Sequence, residues 1–246
     1  MISAIIIGIF VGFASGFFGI GGGTVLVPIL LFLGFNFKEA IGISVTQMML
    51  SSVYGSYLNY KKGLLKIKNG LSLAIGGAIG ASLSGIIVKY APKEILGAIF
   101  LTLVLIAIIR FFITVPEPKE EPPIDNKKLF FIGFFVGLIA ISVGVGGAIL
   151  ITPILVGFLK YRLKTTVSLS LFFVVFSSIS GFISQSIAGH IDYTKGFTIG
   201  IASLIGTYFG IKLYHKINPI YHKKLLLIWY IFVFCATTYK LYFQGH

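Results

Sequence analysis

Residues 19–28 read Gly19-Ile-Gly-Gly-Gly-Thr-Val-Leu-Val-Pro28, and residues 144–153 read Gly144-Val-Gly-Gly-Ala-Ile-Leu-Ile-Thr-Pro153. The second is the first displaced by 125 residues. Each is a glycine cluster opening a short apolar run that carries a proline. Three adjacent glycines would weaken a helix interior by about 1 kcal/mol each, so they read better as a break than as helix. The helix that starts after such a break has unpaired first-turn N–H groups and the positive end of its dipole. In an apolar surround those donors need protein, water or a ligand, and an anion satisfies them.

The duplication extends well beyond the clusters. With a shift of 125, Gly8, Gly12, Gly19, Gly21, Gly22 and Pro28 match Gly133, Gly137, Gly144, Gly146, Gly147 and Pro153. One inserted residue later the shift becomes 126. Ser44, Ser51, Ser52, Gly55, Gly63, Gly70 and Gly80 then match Ser170, Ser177, Ser178, Gly181, Gly189, Gly196 and Gly206. A register held this long marks an internal repeat. The proline-rich, acidic stretch between Val115 and Lys127 separates the copies, since its prolines prevent a continuous helix and its charges keep it solvated. The expected units are 1–115 and 129–243, joined by a linker at 116–128. The last residues, 244–246, resemble the remnant of a cleavable tag.

Composition sets the surroundings. The chain has 246 residues, 57% hydrophobic and 11% charged, with a mean hydropathy of +1.00. Soluble domains carry about 25% charged residues, so this much apolar surface belongs in a bilayer. The N-terminal run lacks a basic leader and reads as a retained helix. Apolar runs fall at about 2–18, 23–35, 40–60, 70–88 and 94–115, and again at about 129–143, 147–159, 165–187, 196–212 and 225–243. The runs at 23–35 and 147–159 are too short for a full span of roughly 20 residues. The expectation is an all-α polytopic membrane protein of two repeats, five helical elements each.

The net charge of +13 comes from cations placed between the runs, so it sets orientation and does not point to nucleic acid. If every run counts as one crossing, Lys and Arg divide 15 to 5 between the two sides. If each first pair counts as one crossing, they divide 10 to 10. The first arrangement obeys the positive-inside rule, with both termini outside and the linker cytoplasmic. Five elements per copy is an odd number, so the repeats are inverted, as in many transporters.

Chemistry is limited by what the runs lack. All seven carboxylates (Glu39, Glu94, Glu117, Glu120, Glu121, Asp125, Asp192) fall at run ends or in loops. Buried acids are the usual means of attracting cations and relaying protons, so their absence favours an anion. The single Cys235 and four scattered histidines, read as lying in loops or the tail, offer no metal site, and no cofactor is expected. The site expected is the backbone of the two turns, Gly21, Gly22 and Gly23 with Gly146, Gly147 and Ala148. The side-chain donors Thr24, Ser44, Gln47 and Ser170 complete it. Asn59 and Gln185, near run ends, read as interfacial, and Arg110 reads first as a topology marker.

The motif at 19–28 followed by Ala40-Ile-Gly-Ile-Ser44, with a weaker copy at 144–153 and Thr166-Val-Ser-Leu-Ser170, resembles the TauE/SafE family of sulfite and organosulfur-anion exporters. The likeness covers nearly the whole chain. It implies export of a small sulfur-containing anion, such as sulfite or a sulfonate, from the cytoplasm. The partners expected are that anion and the lipid bilayer, with a homo-oligomer left open. A passive anion channel is the alternative reading. An intramembrane enzyme fails on residues, because no in-span base stands beside a serine and no pair of acids or His-Glu-x-x-His is present.

Overall fold

A computed structural model describes residues 2–18, 21–61, 70–112, 122–214, 216–217 and 219–242. Gly19 of the first cluster, the linker segment 113–121, the side chains of Asn59 and Ser168, and the tail 243–246 lie outside the described residues. Ten helical elements fill the described chain: α1 (Ile2–Phe18), α2 (Gly23–Phe32), α3 (Phe37–Lys61), α4 (Leu71–Tyr90), α5 (Lys93–Phe112), α6 (Asn126–Ser142), α7 (Ala148–Phe158), α8 (Leu163–Ile187), α9 (Tyr193–Tyr214) and α10 (Pro219–Tyr242). No strand occurs among the described residues. The chain is an all-α polytopic membrane protein.

Local chemistry explains the boundaries. α2 ends where Gly34 takes φ +90° and the Phe35 N–H returns to the Leu30 carbonyl, a left-handed glycine cap. α6 begins at Asn126, three residues earlier than the apolar pattern indicates. The Asp125 side chain accepts from the N–H groups of Lys127 and Lys128, and this cap draws the polar end of the linker into the helix. α4 is interrupted at Leu83, where the Ser184 hydroxyl donates to the Ser82 carbonyl and accepts from the Gly85 N–H. α7 changes to π-helix over Pro153–Phe158, starting at the proline that cannot donate to the ladder.

Glycines set the helix packing, and they set it twice. A Cβ on Gly8 would lie 2.5 Å from the Ile199 carbonyl oxygen, and on its counterpart Gly133 it would lie 2.2 Å from that of Leu73. Gly12 meets the Ser203 carbonyl as Gly137 meets that of Gly77. Gly206 meets Ile9 as Gly80 meets Phe134. Such backbone contact, open only to small residues, is how apolar helices associate without a hydrophobic driving force. Exchanging the halves therefore maps the α1–α9 pair onto α6–α4, and α3–α9 onto α8–α4. The pairs α3–α8 and α5–α10 map onto themselves, so the described packing is two-fold symmetric.

α3 and α8 cross at its centre, antiparallel: Ser52 meets Ser178 while Val45 approaches Gly181. Each has 25 residues, about 37 Å of helix. Ser44, Thr46, Gln47 and Ser51 on α3, and Thr166, Ser170, Ser177 and Gln185 on α8, are all buried. α4, α9 and the Lys224–Tyr242 part of α10 are long and apolar enough to cross a membrane. Their outward residues, among them Ile86, Ile201, Phe209, Ile228 and Phe232, are more than half exposed, as a lipid-facing surface requires.

Candidate anion site

The two glycine turns meet. A Cβ on Gly21 would sit 3.3 Å from the Gly146 Cα, which brings together positions equivalent in the two repeats. The breaks fall on particular glycines: Gly21 has φ +74°, Gly144 +74° and Gly147 +67°. Gly22 and Gly23 are small for a different reason. A Cβ on Gly22 would lie 1.9 Å from Gln47 Oε1, and one on Gly23 would lie 1.8 Å from the Gly144 carbonyl oxygen.

The expected side-chain donors divide by this geometry. The Ser44 hydroxyl, fully buried, donates to the Gly144 carbonyl at 2.9 Å. Thr24, also fully buried, donates to the Gly21 carbonyl at 3.4 Å and closes its own turn. Gln47 packs on Gly22 with Nε2 donating to Ser203 Oγ at 3.2 Å, and its Oε1 has no partner. Ser170, the counterpart of Ser44, has an unpartnered hydroxyl although only 5% of the residue is exposed.

A cavity of about 320 Å³ lies between the halves. Of the ten expected site residues, Gly21, Ala148 and Ser170 line it; Gly22, Gly23, Thr24, Ser44, Gln47, Gly146 and Gly147 stand behind its wall. Gly147 is covered by the Phe173 ring, which a Cβ there would meet at 2.4 Å. The hydroxyls of Ser15, Ser51, Ser52, Thr152 and Thr207 add polar points to a largely apolar surface. No carboxylate lines the cavity among the described residues.

Two lining residues change the sequence reading. Arg110, on the last turn of α5, faces this cavity. The sequence reading takes Arg110 first as a topology marker; its place as a lone arginine inside an apolar run is the signal that could have found it. His222 belongs to the first turn of α10 and not to a loop: Pro219, preset for the first helical position, begins the helix ahead of it. Its Nε2 lies 2.8 Å from the Phe17 carbonyl oxygen, which can only accept, so Nε2 carries a proton. Phe17, Phe18 and Tyr214 ring the imidazole at centroid distances of 5.0–5.9 Å. Arg110, Tyr214, His222 and Phe18 all sit at helix ends, and they line the same cavity as Gly21, Ala148 and Ser170.

Gln185 is a second correction. It is fully buried and not interfacial: Nε2 donates at 3.4 Å to the Ile141 carbonyl near the end of α6, which also accepts from the Gly144 N–H. Outside the spans, Asp192 accepts from the Lys195 N–H and holds its carboxyl below the usual range, as Asp125 does with Lys128. Burial pushes the His190 imidazole down, and Lys38 and Lys89 add to the effect.

Known proteins extend this picture. A probable membrane transporter protein of Bacillus subtilis, YdhB, is 24% identical over 229 residues, spanning 88% of this chain and 91% of its own. One from Methanocaldococcus jannaschii is 27% identical over 240 residues, 91% of this chain and 89% of its own. A third, YjnA of Bacillus subtilis, is 29% identical over 238 residues, 89% of this chain and 92% of its own. No solved structure matches. The family profile of the sulfite exporter TauE/SafE matches residues 4–237, and with it this chain, a membrane transporter and not an enzyme, belongs to the TauE/SafE family.

Proposed function

We propose that the protein exports a small sulfur-containing anion, sulfite or a sulfonate such as sulfoacetate, across the cytoplasmic membrane by alternating access. The observation that carries this reading is the cavity between the halves. The permanent charge among its described lining residues is the Arg110 guanidinium, and Gly21, Ala148 and Ser170, from the turn regions and α8, line the same space. Its volume of about 320 Å³ falls at the lower end of small-molecule sites. A planar guanidinium and hydroxyl donors suit the oxygens of a sulfite or sulfonate group.

The halves 1–115 and 129–243 are the two inverted units, with both termini outside and the linker 116–128 cytoplasmic. This orientation follows the lysine and arginine count, and it makes the helix ends bearing Arg110 and His222 the cytoplasmic mouth. The two-fold packing supports alternating access, because a cavity opening at one face has an equivalent position at the other.

The test is uptake and counterflow of labelled sulfite or sulfoacetate in proteoliposomes. Saturable counterflow is expected, because a carrier returns loaded. Flux that saturates without counterflow would make the protein a channel. A folded protein that moves neither anion would sink the substrate assignment.

A further inference from the structure

We infer that the molecule holds a second cavity, closed in this conformation, at the opposite face. Its walls are the repeat counterparts of the residues that line the open one. Its ligand is the same small oxoanion, so the inference rests on the transport reading and supplies the residues of the second pathway.

The open cavity breaks the symmetry of the packing. α7 lines it with Ala148, Ile149, Thr152 and Pro153, while the same positions of α2, Gly23, Thr24, Val27 and Pro28, are buried and stand outside it. Phe18 and Ser52, half-buried in the cavity wall, correspond to Val143 and Ser178, which are fully buried. α3 contributes Ser51 and Gly55 from its C-terminal half, and the matching Ser177 and Gly181 lie in the C-terminal half of α8. Because α3 and α8 are antiparallel, the counterparts gather toward the other face.

The two turns differ in hand as well. Gly147 is left-handed at φ +67°, and its counterpart Gly22 is right-handed at φ −63°. Glycine takes either hand at little cost, so each turn can adopt the form of the other. α7 is α-helical for little more than one turn and π-helical from Pro153, whereas α2 is α-helical throughout, across Pro28. Ser44 donates to the Gly144 carbonyl, and Ser170 has no partner. Every one of these differences lies between equivalent positions. Exchanging them between the halves keeps the helix contacts and produces a conformation in which the open side closes and the closed side opens.

The closed side carries suitable donors. Thr24, Ser44, Ser142 and Ser177 each donate to a backbone carbonyl, at Gly21, Gly144, Leu138 and Val174. A side without water needs its hydroxyls paired in this way. Opening releases them, and the oxygens of an oxoanion accept from them.

Thiol labelling tests the inference in the full-length protein, with the exposed Cys235 replaced by alanine. A membrane-impermeant methanethiosulfonate is added to one face at a time of oriented proteoliposomes. T152C and F18C should react from the open face only, and V27C and V143C from the opposite face only. Labelling is irreversible, so a state occupied briefly still accumulates signal. In T152C/V27C, blocking the first thiol with a bulky reagent should slow the second several-fold, because the two cavities open by turns.

V27C and V143C unreactive from either face in folded protein would overturn the inference, and sulfite flux in the same liposomes would show that transport itself stands. Reaction of all four variants from one face, or V27C unslowed by the block, would overturn it too. If V27C fails to fold, V143C decides. Opposite-face labelling in a protein that moves neither sulfite nor sulfoacetate defeats the transport reading and leaves the second cavity in place.

Discussion

The Oγ atoms of Ser52 and Ser178 lie 3.1 Å apart, and the two serines are equivalent positions of the two repeats. Each is also within reach of a carbonyl of its own helix, Met49 for Ser52 and Val175 for Ser178. A residue that touches its own counterpart sits on the symmetry axis. Around that axis the two glycine turns, Gly21 and Gly146, also meet each other. The cavity wall is thus assembled from residues more than a hundred positions apart.

Gly12 and Gly137 should be among the positions least tolerant of a methyl group. A Cβ would come 2.0 Å from the Ser203 carbonyl and 2.3 Å from that of Gly77, backbone atoms that cannot swing away. Alanine at either should lower stability by about 1–3 kcal/mol through overpacking. Gly157, with nothing within 4 Å, is the control. Thermal unfolding in detergent checks this, and similar melting of G12A and G157A would contradict it.

Ser44 and Ser170 should separate stability from transport. S44A strands the buried Gly144 carbonyl and should cost about 1–3 kcal/mol. S170A removes a hydroxyl that has no partner, so its melting temperature should stay within a degree or two of wild type while its transport KM rises. Equal loss of stability in both would mean that Ser170 is also structural.

Gly22→Ala should abolish or strongly reduce transport while the protein still expresses. The added methyl would lie 1.9 Å from Gln47 Oε1, and the amide, fully buried between α2 and Ser203, must move. The double variant G22A/Q47A makes room and should recover part of the flux. Flux unchanged in G22A would remove this turn from the working site.

Acid should weaken the loop between α8 and α9. His190 has its imidazole pushed below the ordinary value by burial and then by Lys38 and Lys89, and its Nε2 has no partner. Above the unfolded histidine value, about 6.5, both states are neutral and His190 contributes nothing. As pH falls from there toward the lower folded value, the unfolded chain binds the extra proton and stability drops. H190Q should flatten the melting-temperature profile in that window. An unchanged slope would place the acid sensitivity elsewhere.

How much could be read in advance follows from what is one-dimensional. The ten apolar runs, the repeat, the breaks and the lack of in-span acids are properties of residue order and composition, and the helices appear where the runs stand. Gln185 and His222 were misplaced because run ends do not reveal what packs over them. One lies under the end of α6 and the other in the first turn of a helix begun by Pro219.

The sequence alone determined that this chain is a membrane-embedded, twice-repeated helical protein with two glycine turns that break its helices. Only the tertiary structure decided which buried polar groups are spent on each other and which have no partner. Ser44 and Ser170 are identical in type and repeat position, yet the Ser44 hydroxyl is spent on the Gly144 carbonyl, while Ser170 borders the cavity with a buried hydroxyl that has no partner. The same packing turns Arg110 and His222 inward. The physical reason is that a hydrogen-bond partner is a matter of distance in space, and helix crossing sets that distance where chain order cannot.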